Sequence, residues 1–170
     1  MDDPLLIQIT TNEHSPCIRE LLWEYAQWLK EMLEEKYKIS IDADATLQSF
    51  MGDLEVFYPP QGRIFLAQVH GKFVGIGCLK QLDNHVGEIK RMFVRPEYRG
   101  KGFGKLILEK LITEARSIGY KQVRLDSPKF AIEAHGLYQS MGFQYIEPYS
   151  GSVGTKAQTE NVVYMELVLW

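Results

Sequence analysis

The order of hydrophobic patterns predicts a mixed α/β chain, an α+β arrangement with helices on both faces of a mostly antiparallel sheet. Three observations carry that prediction. Strand-like alternation and helix-like periodicity are interspersed along all 170 residues, with no internal repeat. Three strand signals follow one another between Arg63 and Val94, which calls for antiparallel pairing, whereas strands and helices alternate only beyond that point. The stretch "RPEYRGKGFGKLILEKL", Arg95 to Leu111, then sets Gly100, Gly102 and Gly104 where a strand hands over to a helix.

Taken in order, "LLIQITT" (5–11) is the first strand. "SPCIRELLWEYAQWLKEMLEEKYK" (15–38) is a long helix. Ser15 is placed to N-cap it and Pro16 suits its first position. Ile18, Leu21, Leu22, Tyr25, Leu29 and Met32 recur at helical spacing, so that face should be buried. A looser, partly helical stretch, 42–54, ends at the breaker cluster "YPPQG". "RIFLAQVHGKFVGIGCLKQL" (63–82) reads as a hairpin turning at His70-Gly71-Lys72. In "VGEIKRMFV" (86–94) the alternation slips. Lys90 and Arg91 are both polar, then Met92, Phe93 and Val94 are all apolar, which suggests a β-bulge.

The second half continues with "GKLILEKLITEARSIG" (104–119), a helix burying Leu108, Leu111, Ile112 and Ala115 and stopped by Gly119. "KQVRLD" (121–126) is a short strand. Ser127-Pro128 is expected to open a helix that runs to Met141 and stops at Gly142. "FQYI" (143–146) is a strand, "EPYSGSVGTKAQTEN" (147–161) a polar loop, and "VVYMELVLW" (162–170) a closing strand. That last strand could close the sheet or pair across a homodimer interface. The length fits a single domain, 1–170.

Composition excludes several function classes. The net charge of −3, from 19 Lys plus Arg against 22 Asp plus Glu, gives no basic face for nucleic acid. No run is apolar enough to span a bilayer, so no membrane partner is expected. "MDDPLL" lacks the basic and apolar regions of a signal peptide. Cys17 and Cys78 make no disulfide framework, so a reduced, cytoplasmic setting is the expectation. His14, His70, His85 and His135 are scattered without metal-ligand spacing, and no metal site is expected.

The glycine loop fits neither of two familiar phosphate-binding patterns. Counting from Gly100, the dinucleotide fingerprint would need glycine where Lys105 stands. A P-loop would need Ser or Thr where Leu106 stands. The physics is retained all the same. Glycines let backbone approach a ligand, the first turn of a helix has unpaired N–H groups, and the helix dipole adds positive potential. With Arg99, Lys101 and Lys105 these features suit a phosphate or pyrophosphate. The plainer alternative is a helix N-terminus with solvated lysines.

The pattern Arg99-x-x-Gly102-x-Gly104, after a bulged strand and before an amphipathic helix, resembles the acyl-CoA-binding motif of the GNAT superfamily of N-acyltransferases. "EAHGLYQSMGF" is similar to that family's second motif, and the order of elements matches it over nearly the whole chain. The resemblance implies the GNAT fold, with a bulged sheet that splays, and acetyl-CoA as cofactor. It assigns the pyrophosphate to the loop residues Arg99, Gly100, Lys101, Gly102, Phe103, Gly104 and Lys105. The pantetheine arm falls to the strand residues Met92, Phe93 and Val94.

The implied reaction is transfer of an acetyl group to a primary amine, of a small molecule or a peptide, by direct transfer in a ternary complex. Tyr138, in the second motif, takes the place of the general acid; a core tyrosine is the alternative. Glu88, eleven residues before Arg99, takes the place of a general base; an exposed edge carboxylate is the alternative. One departure stands out. Many members have an asparagine seven residues before the motif tyrosine, and here it is Ala131, so the resemblance implies either a weaker hold on the coenzyme or a contact supplied by Ser127 or Lys129. The acceptor would sit between Trp28 to Phe57 and Tyr149 to Asn161. Glu31, Glu34, Glu35, Asp42, Asp44, Asp53 and Glu55 make the first of these an acidic rim or a solvated helix face. A reading of a different class is a non-catalytic acyl-CoA-binding sensor or partner module of the same fold.

Overall fold

The elements follow one another as β1 (Leu5–Gln8), α1 (Ser15–Tyr37), α2 (Ala43–Gly52), β2 (Arg63–Val69), β3 (Lys72–Asp83), β4 (Val86–Val94), α3 (Phe103–Ile118), β5 (Gln122–Pro128), α4 (Ile132–Ser140), β6 (Gln144–Ile146) and β7 (Val162–Val168). The computed structural model describes residues 3–150 and 160–170, so much of the polar loop expected over 147–161 lies outside the described residues. The seven strands form one sheet in the order β1-β2-β3-β4-β5-β7-β6. Every pairing is antiparallel except β4 with β5. Among the described residues no helix is long and apolar enough to cross a membrane.

Each face of the sheet has its own core. On one, Leu21, Leu22 and Ile18 of α1 and Leu47 of α2 pack on Ile64, Leu66, Ile76 and Phe93. On the other, Ile107, Leu108, Leu111 and Ala115 of α3 and Tyr138 of α4 pack on Phe65, Leu79, Ile89, Val123 and Met165. The buried face of α1 is rotated slightly from the expected one. Ala26 and Leu33 are buried, while Tyr25, Leu29 and Met32 are half-buried.

Two expected boundaries move. Ser15 is the first residue of α1 and not its N-cap. A 3-10 turn, Asn12–His14, runs directly into the helix, His14 holds the cap position, and no side chain caps it. Ser127-Pro128 does not open a helix. Both residues continue β5, opposite Val163 and Val162 of β7, and α4 begins only at Ile132. The ladder hydrogen bonds win here over the local Ser-Pro signal. The loose stretch before "YPPQG" is a regular helix, because the Asp42 side chain accepts from the Asp44 and Ala45 amides at 2.9 and 3.2 Å.

The period slip in β4 is a bulge. Opposite β3 the register passes from Cys78↔Lys90 to Ile76↔Phe93, so two steps on β3 are matched by three on β4. Arg91 is the extra residue, with a left-handed φ of 57°. Pairing with β5 ends at Glu88↔Arg124, although β4 continues to Val94 and β5 to Pro128. The two strands therefore part beyond Glu88.

Close packing of α3 on the sheet depends on Gly77 in β3. A Cβ there would come within 2.4 Å of Ile107 and 2.7 Å of the Met92 sulfur. Gly77→Ala should therefore overpack this face and destabilise the protein by about 1–3 kcal/mol. Urea unfolding checks this, and an unchanged midpoint would mean that the helix has slack against the sheet.

Candidate functional site

Where β4 and β5 part, a cleft of about 610 Å³ opens. Met92, Phe93 and Val94 form its strand side. Arg99, Gly100, Gly102, Phe103, Gly104 and Lys105 form its loop and helix side. Leu137 and Tyr138 of α4 close it, with Trp28 of α1 and Phe130 ahead of α4. The strand and loop residues expected to hold the coenzyme meet here except Lys101, which is not among the lining residues; neither Ser127 nor Lys129 lines the cleft either. The Lys101 ammonium lies 5.5 Å from the centre of the Tyr98 ring.

The α3 N-terminus is built for an anion. Gly102 holds the cap position at φ 88° and no side chain caps the helix. Gly100 is also left-handed, at φ 74°. A Cβ at either glycine would meet open space, so it is the backbone conformation that calls for glycine. The first-turn residues, whose N–H groups lack partners further back in the helix, line the cleft. Arg99 does something else. Its Nε donates to the Val94 carbonyl at 2.8 Å, and its guanidinium sits 4.8 Å over Trp28 and 5.5 Å from Phe93. It fastens the loop to the end of β4.

Glu88 lies on the opposite face, and it is not an exposed edge carboxylate. β4 is an interior strand and the Glu88 side chain is 0% exposed. It belongs to a row of alternating charge that crosses four strands, Lys80↔Glu88↔Arg124↔Glu166. Cross-strand opposite charges of this kind support a sheet. The Lys80 and Lys90 ammoniums are each 3.7 Å from Glu88 Oε1, and Lys90 is also 3.3 Å from Asp126 Oδ2. Arg124 Nε donates to Glu166 Oε2 at 2.7 Å. The Tyr149 hydroxyl, from the chain beyond β6, donates to Glu88 Oε2 at 2.7 Å. Glu88 Oε1 is buried without a hydrogen-bond partner.

Tyr138 is buried and lines the cleft. Its hydroxyl pKa is pushed up by burial first, then by Tyr25 and Asp126 nearby. Asp126, at the parted end of β5, is the second carboxylate of this region. Burial likewise raises Tyr25, to about 12, with Asp126 adding to it. Ser127 Oγ is 3.0 Å from a ring nitrogen of His135, and both side chains are buried. Burial lowers the pKa of His135. Ala131 stands just before α4 and gives that helix no side-chain cap.

Cys78 is a buried thiol raised by burial to about 12, which makes it a poor nucleophile. Of the acidic residues near the first two helices, Glu31, Glu34, Glu35, Asp42 and Asp44 line a separate hollow of about 540 Å³ on the outer side of α1 and α2. Among the described residues no group of three or more His, Cys, Asp or Glu could hold a metal ion.

Lys80, Lys90, Arg124 and Asp126 were not singled out by sequence reasoning. The available signal was a charged residue at alternate positions of strands that run through the middle of a sheet. The partnership of Tyr149 with Glu88 spans 61 residues and had no local signal.

A family model described as the acetyltransferase (GNAT) family matches residues 16–143. An uncharacterized N-acetyltransferase of Schizosaccharomyces pombe is 32% identical over 143 residues, covering 81% of this chain and 85% of its own length. The N-acetylaspartate synthetase of Xenopus tropicalis is 33% identical over 106 residues, which span 61% of this chain but only 39% of that protein. Among solved structures, a GNAT-family acetyltransferase of Staphylococcus aureus superposes with a TM-score of 0.74 at 25% identity, covering 98% of this chain and 100% of its own. The YncA protein of Salmonella typhimurium, solved with its cofactor acetyl-CoA, superposes with a TM-score of 0.68 at 17% identity, covering 99% of this chain and 95% of its own.

The raised tyrosines give a pH dependence with a definite sign. Burial holds the pKa values of Tyr25, Tyr120, Tyr138 and Tyr149 above the ordinary tyrosine value of 10.0. The stability tied to their protonated forms is complete below pH ~10 and is lost as pH rises through the folded values. Urea unfolding between pH 8 and 12, on the order of that window, should show stability falling above about pH 10. Ultraviolet titration should show part of the nine tyrosines ionising only with unfolding. Stability that is flat to pH ~12 would contradict the burial of these hydroxyls.

Proposed function

The chain belongs to the acetyltransferase (GNAT) family. We propose that it is an N-acetyltransferase moving an acetyl group from acetyl-CoA to a primary amine by direct transfer in a ternary complex. One observation carries this reading. The uncapped N-terminus of α3 and the end of β4 beyond its pairing with β5 line a single cleft, with Tyr138 in its wall. The acetyl-CoA held by the Salmonella typhimurium structure supports the choice of coenzyme.

The residues fit that donor. The loop from Arg99 to Lys105 would take the pyrophosphate at the free helix amides, and the backbone of Phe93 and Val94 would take the pantetheine arm. Acetyl-CoA supplies the thioester carbonyl. Glu88 accepts the proton that the attacking amine gives up as the N–C bond forms, directly or through one water. Tyr138 gives its proton to the sulfur as the C–S bond breaks. A raised pKa suits Tyr138 to that role, because the hydroxyl stays protonated until it is needed. Holding donor and acceptor side by side supplies much of the remaining rate.

The acceptor side is the charged face beside Glu88, between α1, α2 and the chain that carries Tyr149. Its mixture of cations and carboxylates suits a polar amine, either of a small molecule or of a peptide. The two unpaired cysteines are in keeping with a reduced, cytoplasmic setting. A homodimer remains part of the proposal, whereas nucleic acid and membrane do not enter it.

The test is thiol release from acetyl-CoA in the presence of putrescine, tyramine, L-aspartate and an alanine-initiated peptide. At least one amine should accelerate release. Tyr138→Phe should then lower kcat by roughly a hundredfold with the KM for acetyl-CoA nearly unchanged. A variant with unaltered kcat would remove Tyr138 from the mechanism.

A further inference from the structure

We propose that Tyr149 is a positioning residue for Glu88. Its hydroxyl holds Oε2 and so fixes the orientation of the carboxylate that receives the acceptor's proton. The inference rests on the reading of Glu88 as the base. Its basis is the separation of the two carboxylate oxygens: Oε2 accepts from Tyr149 at 2.7 Å, whereas Oε1 is buried without a hydrogen-bond partner.

Tyr149 is itself held on three sides. Its ring meets Tyr164 edge-on at 5.5 Å, the Arg124 guanidinium lies 5.4 Å from its centre, and its hydroxyl ends on Glu88. Burial and the neighbouring Glu88 keep that hydroxyl protonated, so it can only donate when Glu88 is a carboxylate. The carboxylate thus has one oxygen fixed by a donor from outside the sheet and the other turned toward the ammoniums of Lys80 and Lys90, each 3.7 Å away.

The charged and titratable groups facing Glu88 are Lys80 from β3, Lys90 from β4, Arg124 and Asp126 from β5, Glu166 from β7 and Tyr149. Of these, only Tyr149 makes a hydrogen bond to it among those described. A hydrogen bond to the ionised form favours that form. Its removal therefore leaves the carboxylate without the one donor that fixes its orientation.

The experiment compares Tyr149→Phe with Glu88→Gln. The rate profile of thiol release is measured with the fastest amine of the panel above. Tyr149→Phe should lower kcat by roughly tenfold and leave the KM for acetyl-CoA alone. An unchanged kcat in Tyr149→Phe overturns the inference while leaving Glu88 as the base. An acidic limb that persists in Glu88→Gln overturns the reading of Glu88 and this inference with it.

Discussion

One extra residue in β4 governs the rest of the molecule. A bulge bends its strand and increases the local twist. Here the pairing of β4 with β5 stops at Glu88, three positions before Arg91. If the two strands stayed paired to Val94, there would be no cleft and no place for the helix N-terminus to face. The bulge is held in place from outside the sheet. Arg91 adopts a left-handed backbone conformation that costs on the order of 1–3 kcal/mol in a side-chain-bearing residue. Its guanidinium is bonded to Asp53 beyond α2 and lies 4.5 Å from the Phe57 ring and 5.4 Å from that of Phe50. The helical layer that carries Asp53, Phe50 and Phe57 therefore fixes the backbone that shapes the cleft.

The same strand divides the chemistry between two environments. Toward α3 and α4 the cleft is mostly apolar, and its polar groups are the backbone amides of the α3 N-terminus, the buried Tyr138 hydroxyl and the charged side chains of Arg99, Lys105 and Glu133. On the opposite face the sheet carries charges in alternation, Lys80, Glu88, Arg124 and Glu166. A buried carboxylate such as Glu88 is tolerable only with opposite charges and a hydrogen bond close by. Lys80, Lys90, Arg124 and Tyr149 provide these. The alternating row thus has a structural role, since it lets a carboxylate side chain sit inside the sheet next to the place where the strands part.

Much of this was legible in the sequence. The bulge was visible because Lys90 and Arg91 break a two-residue period, and the phosphate-suited loop because three glycines precede a strongly amphipathic helix. The core face of α3 was legible for the same reason that helical periodicity always is: one stripe of Leu and Ile must be buried. What the sequence misread were local signals overridden by longer-range pairing. Ser127-Pro128 looks like a helix start, yet β7 captures both residues as strand. Ser15 looks like a cap, yet a preceding 3-10 turn takes the chain into the helix without one. The charged row could not be read at all, since Lys80, Glu88, Arg124 and Glu166 become neighbours only once the strand order and register are fixed.

The measurement that bears most directly on the account is the thermal shift of the purified protein with acetyl-CoA, compared with free coenzyme A and with ATP. A ligand that binds only the folded state contributes roughly 2.7 kcal/mol at a hundred times its dissociation constant. The account predicts a clear rise in Tm with both forms of the coenzyme and little with ATP, because the pantetheine arm must enter the gap between β4 and β5 while the phosphates sit on α3. No rise at millimolar acetyl-CoA, or an equal rise with ATP, would contradict the claim that the parted strands and the glycine loop form one coenzyme site.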